Sequence, residues 1–475
     1  MNKLSRITIG LSLVLVFSSI KAQTVSPVDF MRLNPYQMIA NPATDLPYRC
    51  VFSFPMLGNI GMDLQNTSLR YDNLFEFDAE GRPTIINLRK FANSIKEDNY
   101  LGLNTDIDVF TFYHRLGKGM MTFDWSVKSQ FGLGYNDGLF KLLAYGNSAF
   151  VGKDHPVKIN LNVNERVYQE FALGYQRKVN EHLSVGGRAK LLFGLADVTT
   201  DVCEAKLFTD ADTYALRLEE NVAMKAALPN AIYVDENGIM KTDGPLKVDD
   251  LFGNLGFGLD LAVEYRINKH FSAVAAIQDL GFIQWDKNNV SLTSNINDAG
   301  QFYDDGGFLF SGLDVEQLQL ISSDELYRKQ FLDTLQQYFQ LELSPLEKYN
   351  TALNTNILLR GNYDVNACNR FSVQLQGCFL NNDLRPAMTL AYSGSFFKML
   401  DVCATYTMVK NGFDNLGIGL GCKLGAFHIY MTSNNVINFF KPLNTNITNL
   451  RFGIVFNILG KNNRIVESGS PELQE

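Results

Sequence analysis

The stretch Leu255–Ile267, LGFGLDLAVEYRI, alternates strictly between large apolar residues and small or polar ones. Successive side chains of a β-strand point to opposite faces of the sheet, so this stretch has one apolar face and one polar face. It is longer than the roughly 5–6 residues of a typical strand. It reaches the roughly 9–11 residues that a tilted strand needs to cross a bilayer. We therefore expect Phe257, Leu259 and Leu261 to face lipid.

The same alternation recurs along most of the chain. Open sheet edges in lipid would leave backbone groups unpaired at a cost of several kcal/mol each, so such a sheet must close. The sequence predicts an all-β fold, a transmembrane antiparallel β-barrel with apolar residues outside and polar residues in the lumen. A soluble exported sandwich or β-solenoid is the alternative. The repeating segments are 121–127, 183–195, 255–267, 357–365, 371–379, 388–396, 400–408, 416–424, 427–431 and 450–458.

Tight turns alternate with long connections between these segments. Bacterial barrels have short periplasmic turns and longer outer loops. With 49–64 taken as one strand bent at Pro55, the barrel at 49–460 has about 14 strands, and both of its ends lie in the periplasm. The predicted tight turns lie near 116–119, 179–182, 267–270, 365–369, 397–399 and 424–426, and the long loops at about 66–105, 134–167, 196–254 and 286–353.

Several tight hairpins carry an asparagine at the same place in the turn. Asn180, Asn268 and Asn366 each follow a Val or Ile, with Tyr four residues or so earlier. Asparagine tolerates the positive φ that many hairpin turns require, so we expect that backbone conformation at these positions. This explains the recurrence without any binding role.

The chain begins with the features of an export signal. Lys3 and Arg6 precede an apolar run that is too short to span a membrane, and the run ends at Lys21-Ala22-Gln23. We expect a cleaved signal peptide at 1–22 and a structured plug or a mobile lead-in at 23–48. A polar tail follows the barrel at 461–475.

Composition excludes several functional classes. The 475 residues have a formal net charge of -8, and charged residues make up only 19%. An acidic chain without a basic run argues against nucleic-acid binding. The five histidines form no metal-ligand pair, and no Gly-x-Ser-x-Gly nucleophile motif is present. The sequence therefore predicts no enzyme, no catalytic residues, no metal site and no cofactor.

Charged residues fall on the predicted lumen face of the strands. Unpaired charges in a narrow lumen are costly, so we expect a ladder of ion pairs between neighbouring strands. The ladder either holds the barrel shut or lines a polar path. Its predicted members are Arg188, Lys190, Asp260 and Glu264, extended by Arg360 and Asp364.

The chain resembles the long-chain fatty-acid transporter (FadL-like) barrels, and most closely the branch exported by Bacteroidota that includes PorV-like proteins. The resemblance lies in the Lys21-Ala22-Gln23 context, in Asn41-Pro42-Ala43 and in the repeated hairpins. It implies about 14 strands around an N-terminal plug that carries Asn41, Pro42 and Ala43. It also implies that hydrophobic ligands pass through the wall or the lumen.

Two functions remain open from the sequence. One is FadL-like passive uptake of small hydrophobic compounds across the outer membrane of a Gram-negative bacterium. The alternative is a non-conducting barrel that serves as scaffold or cargo-shuttle partner in protein secretion, as PorV-like relatives do. The expected partners are outer-membrane lipid and either a small hydrophobic ligand or a secretion-system protein. A lateral gap with an apolar pocket favours uptake, and a plugged lumen favours partnering.

Overall fold

The computed structural model describes residues 25–80, 82–152, 156–212, 214, 216–229, 233–234, 240–241, 251–296, 324, 342–380, 383–397, 399–409, 412–436 and 447–459. The predicted signal peptide at 1–22 and the polar tail at 461–475 lie outside these residues, as does most of the predicted loop 286–353.

Fourteen antiparallel strands form a closed barrel, which confirms the predicted fold class. The last strand pairs with the first, for example at Asn457 and Val51, so the sheet has no open edge. The strands are β1 (Tyr48–Ser53 and Ile60–Asn66), β2 (Asn99–Leu116), β3 (Gly119–Tyr135), β4 (Val157–Lys178), β5 (Leu183–Thr209), β6 (Leu255–Arg266), β7 (Phe271–Trp285), β8 (Tyr349–Ala352 and Asn356–Asp364), β9 (Asn369–Leu380), β10 (Asp383–Phe396), β11 (Leu400–Val409), β12 (Gly412–Leu424), β13 (Phe427–Ser433) and β14 (Ile447–Leu459).

Strand β1 is interrupted around Pro55, where the sequence predicts a bend. Both of its pieces pair with β2 and β14, so the chain keeps its place in the wall. Between them Met56 takes a φ of 59° and donates its N–H to the Val109 carbonyl at 3.0 Å. Proline has no N–H for a ladder, which explains why the regular pairing stops here.

The apolar face of the strands forms the barrel exterior. On β6, Phe257 is 52% exposed and Leu261 is 47% exposed, whereas their neighbours Asp260 and Ala262 are buried. Similar exposed apolar residues occur on the other strands, among them Leu359, Phe371 and Leu420. The predicted orientation of Phe257, Leu259 and Leu261 is therefore observed, and the barrel carries the apolar belt of a membrane-spanning wall.

A lysine in the middle of this belt should destabilise the folded barrel. We expect Leu261→Lys to lower the free energy of unfolding in lipid vesicles by about 2–4 kcal/mol, because the ammonium would face hydrocarbon. Tyr265→Lys, near the end of the same face, should cost at most about 1 kcal/mol. Urea unfolding followed by tryptophan fluorescence measures both. Equal costs for the two variants would contradict the orientation of β6 in the bilayer.

At the long-loop end the wall extends beyond the barrel. Strand β2 already begins at Asn99, inside the predicted loop 66–105, and β5 continues to Thr209 inside the predicted loop 196–254. Three further strands continue the sheet beside the end of β5: Leu216–Ala227, Asn289–Ile296 and Glu342–Pro345. Two small hairpins pair Phe75–Phe77 with Pro83–Ile86 and Tyr233–Val234 with Met240–Lys241.

Short helices accompany this extension. Phe91, Ile95 and Tyr135 form an apolar cluster that joins them to β3. Among the described residues no helix is long and apolar enough to cross a membrane. The loop helices are Tyr71–Leu74, Leu88–Ser94, Gly138–Tyr145 and Asn147–Phe150.

The asparagines of the tight turns act differently from the prediction. Asn180, Asn268 and Asn366 are not among the residues with positive φ, so that expectation was wrong. Instead each carboxamide oxygen accepts the N–H groups of the residues two and three positions later, at 2.8–2.9 Å. Such turns hold the chain by a side-chain acceptor, which asparagine supplies without any backbone strain.

Candidate functional site

Residues 25–47 form a plug inside the barrel. Two short helices, Pro27–Phe30 and Gln37–Ala40, are joined by tight turns, and Ser26 caps the first by accepting the Val28 N–H. Met31, Tyr36 and Leu46 are at most 2% exposed. Their neighbours are inward-facing residues of several strands, so the plug completes the core of the barrel.

The Asn41-Pro42-Ala43 motif lies directly against the wall. The Asn41 side chain accepts the Ala43 N–H at 3.1 Å, which closes a turn, and donates to the Glu264 carboxylate at 3.1 Å. Gly186 of β5 lies opposite Pro42. A Cβ atom added to Gly186 would lie 2.0 Å from the Pro42 carbonyl oxygen. Only glycine allows the plug backbone to come this close to the strand.

A second contact uses the alternating glycines of β12. Added Cβ atoms at Gly417, Gly419 and Gly421 would lie 2.9–3.1 Å from Pro27 or Met31 of the plug. Every second residue of a strand points inward, so the three glycines of GIGLG leave the lumen face of β12 without side chains. The plug residues Pro27 and Met31 occupy that space. This sequence signal is present, but its role becomes visible only with the plug in place.

Polar contacts fix the plug to strands around the barrel. The Leu33 N–H donates to Asp401 on β11 at 2.8 Å, and the Tyr36 hydroxyl lies 3.3 Å from that of Thr111 on β2. Arg360 on β8 donates to the Asp29 carbonyl at 2.8 Å. Burial raises the pKa of the Asp29 carboxyl, against the opposing charge of Arg360. Burial is also the main cause that lowers the pKa of Arg32 to about 10.

A cluster of buried charges crosses the lumen beside the plug. Arg188 contacts Asp124 at 2.8 Å and Asp260 at 3.4 Å, and Lys190 contacts Asp260 at 2.7 Å. All four side chains are at most 4% exposed. The structure therefore brings together Arg188, Lys190 and Asp260, three residues that the strand phase predicts on the lumen face.

Three further charged residues belong to this cluster, and they, like Asp124, were not predicted from the sequence. Glu170 on β4 lies 3.6 Å from Lys190 and 2.7 Å from Lys128, and Asp279 on β7 lies 2.5 Å from Lys190. We name the charge cluster as Asp124, Lys128, Glu170, Arg188, Lys190, Asp260 and Asp279. Partnered in this way, buried charges recover part of their desolvation cost.

Asp279 faces inward because of a β-bulge. The β6–β7 register shifts between Leu259 and Leu261, and Asp279 takes a φ of 55°. The odd-numbered residues of β7 that precede Asp279, such as Phe271, face outward. The outward-facing residues that follow Asp279 are even-numbered, namely Leu280 and Phe282. This break in alternation is readable from the sequence and would have indicated the extra inward residue.

The other three predicted lumen residues lie nearer the short turns. Glu264 and Arg360 contact the plug, and Asp364 pairs with an arginine of the neighbouring strand. Glu264 accepts from Asn41 of the plug, and Arg360 donates to Gln374 at 2.7 Å as well as to the plug. Asp364 accepts a bidentate contact from Arg370 at 2.8 and 2.9 Å. The structure does not bring these three into the charge cluster, so the six predicted residues divide into two groups.

Two cavities lie on opposite sides of this filled centre. The outer cavity, of about 610 Å³, opens at the long-loop end and is lined by residues such as Tyr100, Gln130 and Asn354. The mouth cavity, of about 340 Å³, lies between the plug and the short turns and includes Arg32 and Glu264. No residue lines both, and the charge cluster and plug separate them.

The wall beside the outer cavity has an irregular segment. Strand β8 is interrupted between Ala352 and Asn356, next to the bulge of β7. The regular backbone hydrogen bonding between β7 and β8 therefore stops at this point of the wall. Single hydrogen bonds remain: Leu353 N–H donates to Gly281, and the Thr355 hydroxyl donates to the Asp279 carbonyl. Asn354, within this break, lines the outer cavity and donates to Gln130 at 3.0 Å.

Within the described part of the chain, no group of three or more His, Cys, Asp or Glu residues is arranged to hold a metal ion. The charge cluster is internally paired, and its acids meet lysine and arginine rather than a vacant coordination site. Its arrangement favours closure of the lumen over chemistry on a bound substrate.

Comparison with known proteins gives one family match. The model of a family described as "Family of unknown function (DUF5723)" matches residues 42–434, from the plug motif to the end of β13. No curated protein sequence matches the chain.

Several solved barrels are similar to the chain at low identity. The toluene transporter TbuX of Ralstonia pickettii is 10% identical with a TM-score of 0.44, covering 93% of this chain and 100% of its own. A FadL homologue of Pseudomonas aeruginosa is 8% identical with a TM-score of 0.44 and the same coverage. The toluene transporter TodX of Pseudomonas putida is 7% identical with a TM-score of 0.42, covering 92% and 97%.

Proposed function

The chain belongs to the family of unknown function DUF5723, and from this premise we propose that it is an outer-membrane β-barrel for passive uptake of small hydrophobic compounds. The family description names no activity, so the support comes from the barrel itself. We assign the chain no enzymatic step and no cofactor.

The barrel exterior supports a location in the outer membrane. Exposed Phe, Leu, Ile and Val residues encircle the wall, whereas soluble proteins rarely expose apolar patches beyond a few hundred Å². Membrane β-barrels of Gram-negative bacteria have short periplasmic turns and longer outer loops. We therefore propose that the tight turns face the periplasm, that the outer cavity faces the medium, and that a cleaved signal peptide directs export.

The observation that carries the proposal is that the outer cavity lies directly beside the irregular wall segment, because Asn354 belongs to both. A cavity of about 610 Å³ is within the size range of small-molecule sites. Below it the charge cluster and the plug fill the lumen, so a straight path is closed. Leu280 and Ile357 face outward beside the break in β8 and are each more than 40% exposed. A compound leaving the cavity sideways there would pass directly into the apolar part of the membrane.

Deleting Asp279 should close this lateral route. The deletion removes the extra residue of the bulge, so β7 keeps its pairing with β6 and β8 on both sides and alternates without a break. We expect the rate of N-phenyl-1-naphthylamine uptake by intact cells that produce the chain to fall to that of cells without it. Fluorescence of this hydrophobic probe on entering the membrane provides the measurement.

The matched control is Asp279→Asn. Asparagine tolerates the same positive φ, so the bulge should persist while one charge is lost. Uptake by this variant should remain close to that of the wild-type chain. Wild-type uptake equal to the background of cells without the chain would contradict the proposal, provided that the barrel is shown to be assembled by its heat-dependent migration in SDS gels.

A second candidate function is favoured by the filled lumen. The plug and the charge cluster close the interior of the barrel. This closure favours, as the second candidate, a non-conducting barrel that serves as scaffold or cargo-shuttle partner in secretion. A relationship to PorV-like proteins of Bacteroidota belongs to this candidate. It predicts no probe uptake by the wild-type chain and a secretion defect in cells that lack it, so the same strain pair separates the two functions.

A further inference from the structure

The lining of the outer cavity combines carboxamides with aromatic rings. Eight Asn or Gln side chains and three aromatic residues contribute to it. A carboxamide can donate and accept hydrogen bonds, as a neutral hydroxyl group does. The side chains of Asn104 and Asn160 make no hydrogen bond within the described part of the chain. The ring of Tyr100 adds aromatic surface to the same cavity.

The charges of this lining are unfavourable to anions. Five carboxylates line the cavity against two guanidinium groups. One of these, Arg166, pairs with the buried Asp197 at 3.2 Å and donates to the Ala352 carbonyl at 2.7 Å. The other, Arg385, is buried and lies over the Tyr100 ring, 5.1 Å from its centroid. An anion entering here would lose hydration without gaining a counter-charge of its own.

We propose that the outer cavity binds neutral aromatic compounds that carry a hydroxyl group and rejects aromatic carboxylates. The inference rests on the proposed function in taking this cavity as the place where a transported compound first binds. A hydroxyl group exchanges hydrogen bonds with Asn104 or Asn160, and the ring of the ligand packs against the ring of Tyr100. A purely apolar compound would leave the carboxamides without partners, which costs affinity.

Three probes of the same size test this proposal. All three are a benzene ring with a two-carbon side chain. The side chain ends in a neutral hydroxyl group in phenethyl alcohol, in a carboxylate in phenylacetate and in a methyl group in ethylbenzene. We expect isothermal titration of the full chain in nanodiscs, with empty nanodiscs as the blank, to give the tightest binding for phenethyl alcohol. Phenylacetate or ethylbenzene binding as tightly as the alcohol would overturn the proposal, and so would the absence of binding by all three.

Variants of the lining sharpen the test. Asn104→Leu or Asn160→Leu should weaken phenethyl alcohol binding by about fivefold, the worth of one neutral hydrogen bond. Glu204→Gln should strengthen phenylacetate binding, because it removes one carboxylate from the face that also carries Asn160. Asn73→Leu, a similar change at the same end but outside the lining, should have no effect. Unchanged alcohol affinity in both lining variants would also overturn the proposal.

The outcome is separable from that of the uptake experiment. Selective binding of phenethyl alcohol without uptake of N-phenyl-1-naphthylamine would retain this ligand class and reject the transport function. Probe uptake with tightest binding of ethylbenzene would retain transport and reject the ligand class.

Discussion

Replacing Arg188 with methionine is expected to destabilise the barrel by about 3–5 kcal/mol, or to prevent its assembly, because the buried Asp124 carboxylate loses its counter-charge and Asp260 keeps that of Lys190 alone. Asp124 and Asp260 lie 2.8 and 3.4 Å from the guanidinium and are almost fully buried. Asp124 would keep only the hydroxyl donors of Thr111 and Tyr113, at 3.1 and 2.9 Å. Urea unfolding in lipid vesicles and heat-dependent migration in SDS gels measure the effect.

Two comparisons isolate the charge from the loss of packing. Adding Asp124→Asn to Arg188→Met removes the orphaned charge, so most of the lost stability should return, while Asp260 keeps its pair with Lys190 at 2.7 Å. Lys206→Met breaks a half-exposed pair with Glu219 at 3.8 Å and should cost less than about 1 kcal/mol. If Arg188→Met unfolds at the same urea concentration as Lys206→Met, the charge cluster is not what stabilises the barrel core.

The barrel could be predicted from the sequence because its signal is local. Alternation such as that of Leu255–Ile267 is set by the geometry of a single strand, and tight turns such as 267–270 mark where one strand ends. Lipid then requires closure, so neither the fold class nor the strand number needed any long-range contact. The inward direction of Arg188, Lys190 and Asp260 follows from the same alternation.

The assembly of the site could not be predicted in the same way. Glu170 lies just beyond a loop predicted to end at 167. The break in alternation on β7 indicates that Asp279 faces inward, but not which residues it meets there. The plug depends on contacts between residues far apart in the chain, such as Leu33 with Asp401. No periodicity encodes such contacts. Gly417 and Gly186 appear in the sequence simply as small residues on polar faces.

Replacing Gly186 with valine should unseat the plug while leaving the barrel closed. A Cβ at this position would lie 2.0 Å from the Pro42 carbonyl oxygen and 2.8 Å from the Ala43 nitrogen. These are backbone atoms that a side-chain rotation cannot move aside. Strand β5 is held by two ladders, so the plug is the part that must give way. Once it does, Asn41 also loses its contact with Glu264.

The expected readout is ionic current. The charge cluster comes from β3 to β7. The plug contacts β5 and β6 as well, but it also reaches β2, β8, β11 and β12, so on the side of these four strands the plug closes the lumen. In planar bilayers we expect stepwise conductance from Gly186→Val and none from the wild-type chain. Gly361→Val is the matched control, because nothing lies within 4 Å of its added Cβ. A silent Gly186→Val barrel with unchanged heat-dependent migration would mean that the lumen stays closed without a seated plug, and that the charge cluster alone is sufficient.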